Sequence, residues 1–414
     1  MSKYIYIVLS GGAGLINMAS LFIAVSSLNT IDSDFLLLSL GFINFCVILF
    51  GSPLNTGKLK FLQNNFPEKD INVVSDFIFF SLARALPFLL ILVLVIYYIL
   101  ISFSKIELPA ISELVIVSIC AIISITFEFC RIDRQIERNF LVISSTIILI
   151  NSVVLVYVSF FEFTPLYYFL LLSVLRGLFV AREMFKRRKR YKNQCKTLNS
   201  EGILWKLFNL VRFYWFSVLV TALSGFLPSY FLSFFQAGYL TIYQLAYRVL
   251  TAPLSLIITP FVDYIRYSLR GNKLAFKVYI SSVGLMSIFN ALVILFCFVF
   301  SGQISSLVVN DVNYQETFER ALFMLSLCLI PGSIYILNTR IAELGCSISV
   351  MSTFGLVIHC IYLGLISTFS YYSNFDMFVN SKLMVDFIIF LPVSFIFLFK
   401  SERISISTWQ KSKL

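Results

Sequence analysis

AGYLTIYQLAYRVLTAPLSLIITPF, residues 237–261, reads as one membrane-crossing helix with Arg248 near its middle. About 20 mostly apolar residues cross roughly 30 Å of hydrocarbon, and Arg248 is the single charge in this stretch. A charged side chain at the bilayer centre costs ~2.5–3.5 kcal/mol on insertion scales. Arg248 lies too far from either interface for its guanidinium to reach water along an extended side chain. The competing reading is a buried arginine satisfied by backbone carbonyls or an acidic neighbour. A guanidinium kept at that depth is matched instead to an anion, because its planar fork of donors fits phosphate and carboxylate oxygens.

Working outward from this span, the whole chain shares its character. Of the 414 residues, 59% are apolar and 13% charged, and Phe and Tyr number 45 and 21; the mean hydropathy is +0.90. A soluble domain carries about 25% charged residues, so the composition fits an integral membrane protein. Twelve segments are long and apolar enough to cross: 4–28, 34–51, 76–102, 109–130, 139–160, 164–182, 205–232, 237–261, 276–301, 317–338, 348–370 and 383–400. Pro87, Pro228, Pro253 and Pro331-Gly332 fall inside spans and predict bends. Met1-Ser2-Lys3 leads directly into the first apolar run without a small-residue cleavage site, which reads as a retained helix rather than a signal peptide.

The net charge of +11 would suggest nucleic acid in a soluble protein. Here the basic residues follow topology instead. Of the 32, only Lys105, Arg320 and Lys382 fall in one alternating set of loops, and Arg84, Arg176, Arg212 and Arg248 fall inside spans. Every other one lies in the opposite set, with its greatest density between Arg182 and Lys206. That asymmetry places both termini and the basic loops in the cytoplasm. The expected organisation is a six-helix lobe over 1–181, a basic linker over 182–204, a second six-helix lobe over 205–400 and a cytoplasmic tail over 401–414. Residues 35–44 can be laid on 239–248 without gaps, and six spans per half would relate two repeats by an axis along the membrane normal. The longest external connection, 302–316, is too short for a domain.

Arg84, Arg176 and Arg212 each sit about two turns from the cytoplasmic end of a span. Each could snorkel to the inner interface or extend a positive surface from there to Arg248. Glu113, Glu128 and Asp386 are the possible counter-charges or proton-coupling groups, with Asp76 and Asp263 near span ends, although interfacial placement also accounts for them. His359, the one histidine, is read as a packed imidazole. Ser10-Gly11-Gly12-Ala13-Gly14 is a small-residue packing cluster with a possible hinge role. GSPLNTGK, 51–58, is not a phosphate loop: it has five residues between glycines, and Leu59 stands where a magnesium-binding hydroxyl belongs. Val262–Lys277 reads as an amphipathic helix on the inner leaflet, and the 186–192 run as a topology anchor that attracts anionic lipid. The eight cysteines form no CxxC pair, so neither a metal, a cofactor nor a disulfide is expected.

Gly238-Tyr239-Leu240 and Ala246-Tyr247-Arg248, with the basic cytoplasmic linker and the two six-helix halves, resemble the polysaccharide-exporter branch of the MOP superfamily, in particular Wzx-type O-antigen flippases. The resemblance implies an all-α membrane fold of about twelve helices in two MATE-like lobes around a cationic central cavity. It also implies alternating access that moves an undecaprenyl-diphosphate-linked oligosaccharide from the inner to the outer leaflet of a bacterial cytoplasmic membrane. Arg248, with Arg212, Arg84 and Arg176, would hold the diphosphate. Membrane lipids, and a polymerase and chain-length regulator of the same pathway, would be the partners. Many relatives carry an aspartate late in the seventh span, where this chain has Pro228-Ser229-Tyr230, so no coupling role carries over to that place. Two other readings remain: an O-antigen polymerase, which usually has a large external loop, and a small-molecule antiporter, which would favour acidic residues for cationic cargo.

Overall fold

Lipid offers no partner to a backbone N–H or C=O, so an apolar chain of this length satisfies its peptide groups within helices. The computed structural model describes residues 2–51, 71–104, 106, 109–136, 140–194, 202–258, 261–262, 265, 274–309, 312–342, 348–371, 374–402 and 404–405. Each of the twelve apolar segments falls on helix. Among the described residues, seven helices are individually long and apolar enough to span, and an eighth span results if the bent pair Val312–Ser326 and Leu329–Ala342 is counted as one. Gly11–Ser27 and Ser352–Thr368 are shorter apolar runs. The chain divides into two compact units, Met1–Leu9 with Ala19–Phe234, and Ser10–Met18 with Phe235–Leu414.

The first unit contains most of α1 (Ser2–Ser27), α2 (Thr30–Cys46), α3 (Ile71–Ala83), α4 (Leu86–Phe103), α5 (Ile111–Ile136), α6 (Phe140–Phe160), α7 (Pro165–Gln194) and α8 (Ile203–Leu232). Asn29 starts α2: its side chain accepts from the Asp32 N–H at 2.8 Å and donates to the Asp32 carboxylate at 2.8 Å. This satisfies a donor that the first helical turn leaves open. Glu113 does the same for α5, accepting from the Ala110 N–H at 2.9 Å. α2 is apolar all round and largely buried, as a central helix must be. α4 buries a stripe of Val93, Tyr97 and Ile101 and turns Phe88, Ile91, Leu92 and Phe103 outward. The outward apolar face is the pattern lipid selects.

Tyr97 is the polar pin of this unit. Its hydroxyl lies 2.6 Å from Ser39 Oγ, which donates onward to the Phe35 carbonyl at 2.7 Å, and its ring stacks on Phe42 with centroids 4.6 Å apart. Tyr97→Phe removes only the hydrogen bond and should cost about 1 kcal/mol. Tyr97→Ala also opens a cavity and should cost about 3–5 kcal/mol. Thermal unfolding of both variants in detergent checks the ranking; equal losses would remove packing as the larger contribution.

In the second unit, α9 (Tyr239–Pro253), α10 (Phe276–Val299), α11 (Ser301–Val308), α12 (Val312–Ser326), α13 (Leu329–Ala342), α14 (Ile348–Tyr371), α15 (Phe375–Val385) and α16 (Leu391–Lys400) follow in order. Gly238 enters α9 at φ +93°, a left-handed conformation that costs glycine least. On α10 the membrane inverts the soluble pattern: Ser282 and Asn290 are buried while Leu285, Ile288 and Leu292 face outward. Several of the buried polar side chains bond across helices, although Asn290 Oδ1 has no partner among the described residues. Asn290 Nδ2 donates to Ser333 Oγ at 2.7 Å, Tyr279 donates to Asn338 Oδ1 at 2.8 Å, and Asn338 Nδ2 donates to Ser394 Oγ at 2.9 Å.

Helix irregularities mark the prolines unevenly. The span expected over 76–102 breaks at Arg84-Ala85, immediately before α4, which has Pro87 in its first turn. A 40° bend separates α12 from α13 just before Pro331. α8, in contrast, continues through Pro228 to Leu232 without a break in helix, so no break marks that proline. Among the described residues three π-turns occur, at Val47–Gly51, Leu254–Ile258 and Asp386–Phe390. The first two continue α2 and α9, the helices aligned in sequence between the halves. The third joins α15 to α16 with a Leu391 N–H to Asp386 C=O bond, since Pro392 has no N–H with which to continue an α-turn.

Two expectations for the connecting segments need correction or fall away. Residues 274–275 form not helix but a two-residue strand (β1), parallel to Ile404–Ser405 (β2). Val262 and Ile265 are buried with Leu274, Leu337 and Leu398, so the described part of 262–277 is packed into the unit rather than laid along a leaflet. The phosphate-loop lookalike beyond Gly51 lies outside the described residues. Cys46, Cys120, Cys130, Cys297, Cys328 and Cys360 are free thiols, while Cys195 and Cys346 lie outside the described residues.

Candidate functional site

Arg248 stands midway along the continuous helix from Tyr239 to Ile258, about 14 Å from either end at 1.5 Å per residue. It shares one face of α9 with Thr241, Gln244 and Thr251, all partly exposed, while Leu240, Tyr243, Ala246 and Leu250 are buried. The spacing i, i+3, i+7, i+10 makes a polar stripe along one side of α9, a helix that is not among the seven individually apolar enough to span. Tyr247 flanks that stripe with 40% of its surface exposed and stacks on buried Tyr243, centroids 6.1 Å apart. One helix therefore offers a guanidinium, amide and hydroxyl groups and an aromatic face in two turns.

The other three arginines differ from one another. Arg84 is exposed at the α3–α4 break, outside the apolar run that begins at Leu86. Arg212 is exposed on α8 just before the apolar run Tyr214–Leu232. Both occupy the ends of apolar runs rather than their interiors. Arg176 lies within α7, which continues past the expected span end to Gln194. Counted from Pro165 it is about 16 Å along the helix. It is also engaged inside the first unit: it donates to Ser124 Oγ at 2.5 Å, and its guanidinium carbon is 5.8 Å from the centre of the Phe127 ring.

The acidic candidates are likewise separated by geometry. Glu113 is the cap of α5, and Glu128 pairs with Arg131 one turn away at 2.6 Å. Asp386 has a partner that the sequence had assigned to an external loop. Lys382 lies inside the span Phe375–Lys400, and its Nζ is 2.6 Å from both Asp386 oxygens. The pair is nearly closed off, with side-chain exposures of 14% and 7%. His359 packs edge-on against Phe390 at 5.9 Å. Asp263 lies outside the described residues.

A second charged cluster ties α3, α5 and α7 together. Arg187 binds Asp133 and approaches Asp76 to 3.5 Å; Ser75 donates to Asp133 at 2.8 Å. Arg134 binds Glu183 at 2.6 Å. All five charged side chains are buried. Arg187 also lies 4.8 Å from the centre of the Phe79 ring. Within the run 182–192, Glu183 and Arg187 are one turn apart and point inward, whereas Arg182, Lys186, Arg188 and Lys189 are exposed. The i, i+4 spacing of opposite charges was the available signal. Among the described residues no cluster of His, Cys, Asp and Glu could hold a metal ion.

No protein-family model matches the sequence, and no curated protein matches it. Solved structures do. The lipid II flippase MurJ, in an inward closed conformation, is 12% identical with a TM-score of 0.72 over 99% of this chain and 89% of its own. An inward-facing multidrug resistance MATE family transporter of the MOP superfamily is 13% identical with a TM-score of 0.69, over 94% and 95%. A MOP superfamily transporter from Pyrococcus furiosus, described for the reverse polarity of its binding pocket, is 15% identical with a TM-score of 0.63, over 96% and 94%. The likeness covers nearly the whole of each chain, and the fold of this multi-pass membrane protein is that of the MOP-superfamily transporters.

Proposed function

We propose that this chain is a flippase for an undecaprenyl-diphosphate-linked oligosaccharide, an O-antigen repeat unit, in a bacterial cytoplasmic membrane. The observation that carries the reading is Arg248, a guanidinium midway along a membrane helix on a polar stripe. A diphosphate leaving water needs a cation and donors to replace its hydration; Arg248 supplies the first, and Gln244, Thr241 and Thr251 the second. Tyr247, exposed beside them, offers a ring face to the apolar side of a sugar. The lipid tail stays in the bilayer while alternating access carries the head group outward, with both termini on the cytoplasmic side. Likeness to a lipid II flippase supports the substrate class, and the arginine distinguishes this chain from an exporter of cationic cargo. Arg212 and Arg84, at the ends of apolar runs, suit a first encounter with the diphosphate at the inner leaflet. The polymerase and chain-length regulator would act on the delivered unit.

A deletion strain tests the reading directly. Loss of the chain should leave lipid-linked repeat units on the inner leaflet and none accessible to an impermeant sugar-oxidising label outside. Single units appearing on the cell surface would point to a polymerase instead.

A further inference from the structure

Lys382 and Asp386 form a charge pair placed where a pair is expensive to hold. The two side chains are almost fully buried in the second unit, with Lys382 Nζ 2.6 Å from each carboxylate oxygen. Replacing such a pair by apolar groups is often neutral or stabilising, so stability alone gives little reason to place it inside a membrane helix. Its surroundings are polar but uncharged. Tyr362 on α14 and Phe390 in the π-turn place ring centres 5.7 and 5.8 Å from Nζ. Tyr243 and Tyr247 on α9, and Cys328 at the α12–α13 bend, lie close enough to act on it electrostatically. His359 and Tyr335 pack on the Phe390 ring, and Arg320 on α12 faces Asp376 in the first turn of α15, 3.9 Å away. Nothing else charged among the described residues on these elements faces the pair. Asp386 also opens the π-turn, a helix irregularity frequent at functional sites.

We infer that Lys382–Asp386 is an exchangeable pair, in which a proton taken by Asp386 releases the Lys382 ammonium to bind a phosphate oxygen of the cargo. The inference rests on the reading of the cargo as a lipid-linked diphosphate. The charges are accounted for: one proton from water moves onto a carboxylate oxygen, the pair changes from net zero to +1, and that charge offsets one of the two negative charges of the diphosphate. The lysine keeps its three protons throughout. Exposed Tyr247, close to Lys382 on one side and next in sequence to Arg248, connects the pair with the polar stripe. Anion binding and proton uptake thereby become one event, reciprocal by linkage.

The test uses the full-length protein in detergent with inorganic pyrophosphate as the probe. Wild type should bind it with an affinity that falls as pH rises, by up to about tenfold per unit where one proton is taken up. An infrared difference spectrum of the bound against the free protein should show the C=O stretch of a protonated carboxylic acid. Pyrophosphate itself gains charge over this range, an opposing effect common to every variant. Asp386→Asn should lose both the carboxylic-acid band and the proton-linked fall in affinity. The double variant Lys382→Met with Asp386→Leu removes both charges and guards against misfolding from an orphaned lysine; it should bind pyrophosphate at least tenfold more weakly than Asp386→Asn. The inference is overturned if wild type and Asp386→Asn share one pH profile and one spectrum, or if wild type does not bind the probe. Either failure leaves the flippase reading to the leaflet assay. Conversely, failure of that assay with the Asp386 band intact would sink the cargo and keep the exchange.

Discussion

Arg187→Ala should destabilise the first unit by about 3–5 kcal/mol, the cost of removing one partner from a buried ion pair. Arg187 is 2% exposed and binds two carboxylates that are themselves buried, Asp133 and Asp76. Without the guanidinium, the two buried acids lose the cation they share, which favours uptake of a proton or entry of water. The packing on Phe79 is lost as well. Arg187→Lys should recover only part of the loss, since an ammonium cannot bridge two carboxylates in a fixed fork while lying flat on a ring. Arg188→Ala is the control: its side chain is exposed one residue along, and such changes fall within about 0.5 kcal/mol. Denaturant or thermal unfolding of the three variants in one detergent gives the comparison. If Arg187→Ala and Arg188→Ala unfold alike, the cluster does not hold α3, α5 and α7 together.

This cluster also shows where the sequence is legible. Composition and hydropathy suffice for the membrane class and for finding helices, because lipid forces every long apolar run into the same local structure. Arg248 is equally visible, since an isolated charge inside a span has no local explanation. Charges at the ends of apolar runs are harder. Arg84 and Arg212 were read as intramembrane because helix and apolar run were assumed to coincide; the α3–α4 break and the polar first turns of α8 separate the two. The basic run after Arg182 reads as a solvated face until three-dimensional packing turns Glu183 and Arg187 inward. Lys382 was assigned to a loop because a lysine normally marks the end of a span. Its acid, Asp386, sits one turn later and cancels the charge, so the helix starts a full two turns earlier, at Phe375. Compensating pairs hide functional and structural charges alike from a hydropathy reading.

Arg248→Ala should reduce outward movement of the lipid-linked oligosaccharide by about 10- to 150-fold, the equivalent of roughly 1.5–3 kcal/mol for a hydrogen bond to a charged group. The argument is geometric before it is electrostatic. At about 14 Å from either end of its helix, the guanidinium can serve a diphosphate in the part of the passage where water can serve it least. Arg212 and Arg84 cannot replace it, since both occupy the ends of apolar runs, and Arg176 is committed to Ser124. Arg248→Lys keeps the charge and loses the planar fork of donors, so it should retain activity between wild type and alanine. Arg248→Gln keeps donors without charge and should fall near alanine if the cargo is anionic. Because Arg248 is only half-buried, these variants should reach the membrane at normal levels, which an immunoblot verifies before the outer-leaflet label is read. The order wild type, lysine, glutamine identifies charge as the property that matters. Equal rescue by glutamine and lysine would show that Arg248 binds a neutral group such as a sugar hydroxyl, and the diphosphate would then have to be held elsewhere.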